Sequence, residues 1–381
     1  MAEPYHTGET LCVGRKTRYR PGVYRDLRIS NFRRFQHFTM EGLGRVNLLV
    51  GPNNCGKTTV LEAIELLQAS PNPVMVGLVA MGRGALVHSS DKQSPHNSRI
   101  LLCHLFHGHT AQLGSEFTIS GQSVAGDQTL RVYISDEPKN IRMLFPNAQP
   151  IAGLPYLNIS RTGAPDAVAA SLGWAGELSF VEWRQRAQGS EMIETHVVPT
   201  GSLSGSDVTA QLSGVLLNPE EQRVLDILRL IEPSLEGIVA VDSPKIAGTV
   251  DRGGIFVKLK GQRERIPIAS LGEGMWRLLA LALELVNAKG SVLLIDEIDI
   301  GLHYTAQADM WRMVKRAAEE LDVQVFATTH SRDCIYALAQ VARADVTDGS
   351  EVTIQRIEGD HAVAYNEQEI VLAAERGIEV R

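Results

Sequence analysis

Apolar and polar positions along the chain alternate between short strand-like runs and longer stretches with helical spacing. Arg45-Val46-Asn47-Leu48-Leu49-Val50 and Ser291-Val292-Leu293-Leu294-Ile295 are brief apolar runs that predict strands, and Val323–Ser331 holds an alternating strand. Between Thr58 and Gln68, Val60, Leu61, Ile64 and Leu67 recur at helical spacing with polar residues between them. Thr305 to Leu321 predicts an amphipathic helix with Trp311, Val314, Ala318 and Leu321 on its inner face. A second amphipathic helix is expected over 219–232 through Val224, Leu225, Leu228 and Ile231, bounded by Pro219 and Pro233. Leu278–Leu285 is apolar on nearly all sides and reads as a core helix. Residues 71–215 hold many Gly, Pro and Ser and short strand-like runs at Arg99–Phe106, Glu116–Ser120 and Leu130–Ile134. They predict a compact lobe or lid and lack the long glycine-poor heptads of a coiled coil.

The first predicted strand runs directly into Gly51-Pro52-Asn53-Asn54-Cys55-Gly56-Lys57-Thr58, which fits the phosphate-loop pattern G-x-x-x-x-G-K-[ST]. Strand, glycine loop and helix follow in the order the motif needs. Backbone N–H groups of such a loop form an anion nest, and the next helix adds its positive dipole end. The candidate nucleotide contacts are Asn53, Asn54, Cys55, Gly56, Lys57, Thr58 and Thr59, with Lys57 reaching the β/γ-phosphates and Thr58 supplying a hydroxyl to Mg2+. The Cys55 side chain is expected to point away from the backbone cradle, as an inert small residue in preference to an oxidation-sensitive one.

Three further segments carry chemistry. Ser291–Ile295 ends in Asp296-Glu297, the arrangement of a Walker B strand: Asp296 would hold Mg2+ and Glu297 would polarise the attacking water. Upstream, Ser270-Leu271-Gly272-Glu273 opens the apolar helix and offers bare N–H groups to an anion; an ordinary core helix capped by Ser270 is the plainer reading. The alternating strand within Val323–Ser331 delivers His330 to its carboxyl end, the edge where ligands sit in a parallel α/β sheet. There His330 could sense or stabilise a γ-phosphate.

Composition then narrows the setting. The 381 residues are 44% hydrophobic, which suffices for a large core, and no apolar stretch is long enough to span a bilayer. The start of the chain has no apolar leader-like segment. Four scattered cysteines without C-x-x-C spacing fit a reducing, cytoplasmic setting without zinc or disulfides. A net charge of −7 argues against a surface built to coat nucleic acid. Arg15, Lys16, Arg18, Arg20, Arg25, Arg28, Arg33 and Arg34 nevertheless crowd the first tenth, with Tyr19 and Tyr24 between them. They read as a solvated or subunit-packing arm in preference to a DNA contact.

The four segments, with roughly 240 positions between Lys57 and Asp296, resemble the ABC-type ATPase heads of the SMC, RecF and OLD group. Leu27–Phe35 is similar to their "I-x-N-F-R-x-F" strand and turn, and Ser270–Glu273 to their signature motif, with Leu271 in place of a glycine. Leu293–His303 and Phe326–Ser331 resemble the Walker B/D-loop and "A-T-T-H-S" switch of stand-alone, AAA-type bacterial ATPases, including the ATPase of PARIS-like anti-phage systems. The resemblance implies an α/β fold, a P-loop NTPase head with a central mainly parallel sheet, an antiparallel β-rich lobe, an inserted lid region and no long coiled coil. Its expected parts are a basic arm over 1–24, the Walker A lobe over 25–70 and an insert over 71–215. Residues 216–345 would carry the signature, Walker B and His330, and 346–381 a C-terminal segment too short for a Toprim domain.

The resemblance further implies ATP and Mg2+ as cofactors, with Thr58 and Asp296 at the ion and Glu297, His330 and Lys57 as the catalytic set. Heads of this group pair head to tail, so Ser270, Gly272 and Glu273 of one subunit would meet the loop of another across each nucleotide. Arg33 or Arg34 would approach the nucleotide, and Asp299 and Gly301–His303 would form the D-loop. The function implied is an ATP-hydrolysing switch, dimeric or higher, controlling a separate effector such as a Toprim-type nuclease in anti-phage defence, with nucleic acid involved only indirectly and no membrane. A RecF-like DNA-repair ATPase is the alternative. A transporter's nucleotide-binding subunit fits less well, because Leu271 and His303 depart from its motifs.

Overall fold

In the computed structural model the described residues are 24–69, 71, 73–88, 98–123, 126–136, 142–143, 153–163, 168–189, 195–200, 205–218, 220–241, 254–344 and 352–377. The expected basic arm, apart from Tyr24, and Pro219 lie outside them.

In chain order, β1 (Tyr24–Phe32), β2 (Phe35–Met40) and β3 (Val46–Val50) lead into α1 (Lys57–Gln68) and α2 (Pro73–Met81). Short β4 (Leu86–Val87) and β5 (Arg99–Leu101) precede β6 (Glu116–Ser123), β7 (Gln128–Ser135), β8 (Arg142–Met143), β9 (Tyr156–Arg161), β10 (Val168–Ser171) and β11 (Glu177–Ser179). Then come α3 (Phe180–Gly189), β12 (His196–Val198), α4 (Gly205–Leu216), α5 (Glu221–Arg229), β13 (Leu235–Val241), β14 (Gly254–Leu259) and β15 (Ile266–Pro267). The last third holds α6 (Glu273–Asn287), β16 (Val292–Ile295), α7 (Tyr304–Glu320), β17 (Gln324–Thr328), α8 (Arg332–Ala344), β18 (Val352–Glu358), β19 (His361–Tyr365) and α9 (Glu367–Glu375).

Among the described residues thirteen strands share one sheet, in the order β12-β16-β17-β3-β18-β19-β2-β1-β6-β7-β9-β10-β8. From β12 to β18 every pairing is parallel; from β1 to β10 every pairing is antiparallel. The fold is thus the expected α/β architecture, a mainly parallel half joined to an antiparallel half. The longest helix among the described residues is α7, with 17 residues, so they contain no long coiled coil.

The parallel strands are apolar because both faces are covered. Leu48, Leu293, Ile295, Val325 and Ala327 point into a core shared with α6, α7 and α8, whereas Leu49, Val292, Leu294 and Phe326 point into the core of α1 and α2. Trp311 is fully buried on α7, and its indole N–H donates to the Cys334 carbonyl at 3.0 Å.

The structure departs from the sequence expectations where strand pairing recruits distant segments. The range set apart as an insert supplies β6, β7, β9 and β10, which extend the sheet from the edge of β1, and also β12, which pairs with β16 at the opposite edge. An unpaired β1 edge would leave a row of backbone donors and acceptors open, and β6 closes it. The C-terminal segment is central, since β18 lies directly beside β3. The expected strand Arg99–Phe106 stops at Leu101 and continues as two 3-10 turns, Cys103–Leu105 and His107–His109. Tyr24, read as part of the basic cluster, is fully buried: its hydroxyl donates to Gln128 Oε1 at 2.9 Å and accepts from Gln68 Nε2 at 2.6 Å.

One carboxylate sits against the grain of this packing. Burial, reinforced by Glu62 one turn away, pushes the Glu65 carboxyl on α1 up to about 7. A raised carboxyl costs stability when ionised in the fold, so the penalty is full above pH 7 and vanishes below the ordinary value near 4.5. Glu65→Gln should therefore raise stability by about 1–3 kcal/mol at pH 8 and leave it unchanged at pH 4.5. Thermal denaturation at the two pH values checks this; an equal shift at both would contradict it.

Candidate functional site

The carboxyl ends of β3, β16, β17 and β12 line up on one edge of the sheet, and the loops leaving them meet there. The phosphate loop needs glycine at its close turns. Gly56 has φ 111°, and a Cβ there would lie 2.4 Å from the Phe35 ring and 2.8 Å from Arg34 Cδ. Any side chain would collide with the β1–β2 turn. Gly51 and Asn54 also take left-handed backbone, with φ 138° and 59°. Asn53 and Asn54 are exposed at the loop's outer turn, and Thr59 is buried in the first turn of α1.

Lys57 is buried, and its ammonium donates to the carbonyls of Gly51 (2.7 Å) and Pro52 (3.0 Å). Burial draws the ammonium below its ordinary pKa, against the opposing pull of Cys55, Asp296 and Glu297. Lys57 Nζ lies 3.5 Å from His330 Nδ1, which places the end of β17 against the loop. The Cys55 side chain points inward, contrary to expectation: its Sγ is 3.9 Å from Lys57 Nζ and would be 2.8 Å from a Cβ on Gly51. The loop closes around Lys57 and turns the thiol toward the ammonium.

Asp296 is the meeting point. Its carboxylate accepts from Thr328 Oγ1 at 2.6 Å and Thr200 Oγ1 at 2.9 Å, and both oxygens lie 3.4 Å from Thr58 Oγ1. Hydroxyl and carboxylate oxygens are hard donors, the set that suits a partly hydrated Mg2+. The residues present therefore fit that ion, with Thr58 and Asp296 as those that would hold it. Among the described residues no three or more His, Cys, Asp and Glu side chains converge as a metal cage.

Glu297 takes a left-handed φ of 52°, unusual for a non-glycine residue. Two contacts hold it there: its N–H donates to Thr328 Oγ1 at 2.8 Å, and its carbonyl accepts from Arg277 Nη2 at 3.0 Å. Arg277 projects from the first turns of α6, so the helix behind the signature turn touches the Walker B glutamate within one chain. Burial pulls its guanidinium below the ordinary value, opposed by Asp299 and Glu297. Asp299 Oδ1 in turn accepts from Thr329 Oγ1 at 2.5 Å.

Ser270 does not cap α6. It lies exposed on a 3-10 turn, Ile268–Leu271, and Gly272 (φ 96°) takes the N-cap position with no side-chain bond. Gly272 and Glu273 are exposed as well, where this turn, packed on β14 and β15, passes into α6. Arg33 and Arg34 part company. Arg33 is committed to Glu62 on α1 (2.8 Å) and to the Val79 carbonyl (3.1 Å), away from the loop, whereas Arg34 lies over the Phe35 ring beside Gly56. The structure therefore brings Lys57, Thr58, Asp296, Glu297 and His330 together, puts Arg34 at the loop wall and leaves Ser270, Gly272 and Glu273 exposed.

Thr200, Thr328 and Arg277 were not singled out from sequence. Parallel register held the signal for Thr328: Ala327 pairs with Ile295, so the next residue of β17 stands level with Asp296. β12 is only three residues long, too short to mark Thr200.

Comparisons with known proteins find ATPase domains and one curated relative. The model described as "AAA ATPase domain" matches residues 25–103, and that described as "AAA domain, putative AbiEii toxin, Type IV TA system" matches 218–333. Together they contain every motif described above. An "ATP/GTP phosphatase" of Helicobacter pylori is 19% identical over 351 residues, covering 84% of this chain and 89% of that protein. Among solved structures, the SMC head domain from Thermotoga maritima is similar with TM-score 0.45 and 13% identity, over 90% of this chain and 98% of that one. The Smc head bound to the C-winged helix domain of ScpA has TM-score 0.47 and 13% identity, over 90% and 97%. A Pyrococcus furiosus Smc head with extended coiled coil, bound to the C-terminal domain of ScpA, has TM-score 0.45 and 13% identity, over 94% and 100%. The matched ATPase domain and the phosphatase relative make the chain an ATP-hydrolysing enzyme. No helix among the described residues is long and apolar enough to cross a membrane.

Thr328→Val keeps the volume but strands an Asp296 oxygen and the Glu297 N–H, a loss of about 1–3 kcal/mol. Steady-state ATP hydrolysis should fall about 10–100-fold, and Thr328→Ser should recover most of it. Wild-type turnover in the valine variant would show that the hydroxyl does not hold the site.

Proposed function

We propose that this protein is an ATP-driven switch that assembles through composite nucleotide sites, as a head-to-tail dimer or higher homo-oligomer, and controls a separate effector. The observation that carries this reading is the division of the motifs. Lys57, Thr58, Asp296, Glu297 and His330 converge on one sheet edge, while Ser270 and Gly272 stand exposed on a turn of their own. An exposed glycine turn at the start of a long buried helix is suited to an anion presented by another molecule.

In each site the loop N–H groups and Lys57 hold the phosphates, which draws the ammonium off the carbonyls of Gly51 and Pro52. Thr58 and Asp296 hold the ion. Mg2+ bound there supplies charge neutralisation at the transferring phosphoryl group. Glu297, fixed by Thr328 and Arg277, orients the attacking water and takes its proton, and His330 faces the terminal phosphate beside Lys57. A signature turn from a second subunit completes the site, so hydrolysis loosens the assembly.

The effector we favour is a Toprim-type nuclease in bacterial anti-phage defence. This effector rests on the likeness of Leu293–His303 and Phe326–Ser331 to the stand-alone ATPases of such systems.

Lys57→Ala should abolish ATP binding. Glu297→Gln should retain binding, slow hydrolysis about 10²–10⁴-fold and accumulate the larger particle when ATP is added. Light scattering with and without ATP reads the mass. An unchanged mass, or hydrolysis at the wild-type rate, would overturn the switch.

A further inference from the structure

Residues 103–109, Cys-His-Leu-Phe-His-Gly-His, hold three histidines that the nucleotide site does not use. The segment is anchored by its apolar members. Leu105 and Phe106 are buried, Phe106 meets Phe117 edge-on at 5.3 Å, and Phe106 forms a β-bridge with Phe32. Its backbone is tied to the β1–β2 turn, where Arg33 N–H donates to the Leu105 carbonyl at 2.8 Å. On this base Gly108 and His109 take left-handed φ of 78° and 57°, which folds the His109 ring back toward His104. The two exposed imidazoles meet with their Nδ1 atoms 3.3 Å apart and ring planes at 64°. His107 turns the other way, its Nδ1 3.0 Å from the Arg33 carbonyl.

For metal–nitrogen distances of about 2.0–2.1 Å, neighbouring donors of a tetrahedron stand about 3.3–3.4 Å apart. The His104 and His109 nitrogens already have that separation, 3.3 Å. We propose that His104 and His109 form a two-imidazole site for a borderline transition metal such as Zn2+ or Cu2+, which staples the turn beneath Arg33. Imidazole nitrogens suit these ions and suit Mg2+ poorly, so the site is chemically separate from Asp296. With two protein donors, water completes the coordination, and the site is open. Without a metal the same contact is one N–H···N hydrogen bond, for which one ring must donate.

The test uses the full chain and metal alone, independent of nucleotide. Equilibrium dialysis against Zn2+ should show one equivalent whose affinity falls at least about tenfold in His104→Gln and in His109→Gln, because each keeps only one imidazole. His107→Gln should bind as wild type. Zn2+ should raise the thermal midpoint of wild type and not of the double variant His104→Gln/His109→Gln. Cu2+ electron paramagnetic resonance of wild type should display two coordinated nitrogens. Equal Zn2+ affinity in wild type and the double variant, or a Cu2+ signal with fewer than two nitrogens, would leave only a hydrogen-bonded pair and overturn the proposal.

Discussion

The carboxylate of Asp296 is where four separated parts of the chain meet, and the rest of the site depends on it. Thr58 reaches it from α1, Thr200 from the loop after β12, and Thr328 from the end of β17. A buried or half-buried carboxylate with such partners is costly to disturb, because each lost partner leaves a polar group unpaired. The parallel half of the sheet makes the meeting unavoidable. Once β12, β16, β17 and β3 pair in register, their carboxyl ends deliver these residues to one edge.

From that point the arrangement propagates outward. Thr328 uses one hydroxyl twice, donating to Asp296 and accepting from the Glu297 N–H, so the two neighbouring acids share a clamp. Arg277 secures the other side of Glu297 and roots it in α6, the helix that begins at the signature turn. A movement of α6 thus reaches the strained Glu297 backbone through one hydrogen bond. On the opposite side Gly56 admits the Arg34–Phe35 turn, and Arg33 ties that turn to Glu62 on the same helix that carries Lys57.

Much of the site was legible in the sequence because its residues sit in local patterns. Gly51 to Thr58 and Asp296-Glu297 each follow a strand of apolar residues, and β3, α1 and α7 lie within a residue or so of the expected limits. What was not legible is long-range pairing. Nothing local marks β18 as the neighbour of β3, or β6 as the continuation of β1, since strand order is decided by which edges remain open. Thr200 and Arg277 belong to the same class, as their roles exist only through partners far along the chain. Cys55 and Arg33 went the other way: the motif placed them correctly, but packing around Lys57 and pairing with Glu62 decide where their side chains point.

The central claim is that a working site takes its loop from one chain and its signature turn from another. Mixing two variants tests it most directly. Lys57→Ala lacks a competent loop and Ser270→Arg blocks the signature turn, so each alone should be inactive. Mixed in equal amounts they form hybrid dimers with one intact composite site, and about a quarter of wild-type ATP hydrolysis should return if pairing is random and sites are independent. No recovery on mixing, with both variants folded and exchanging subunits, or full activity in Ser270→Arg alone, would contradict the account.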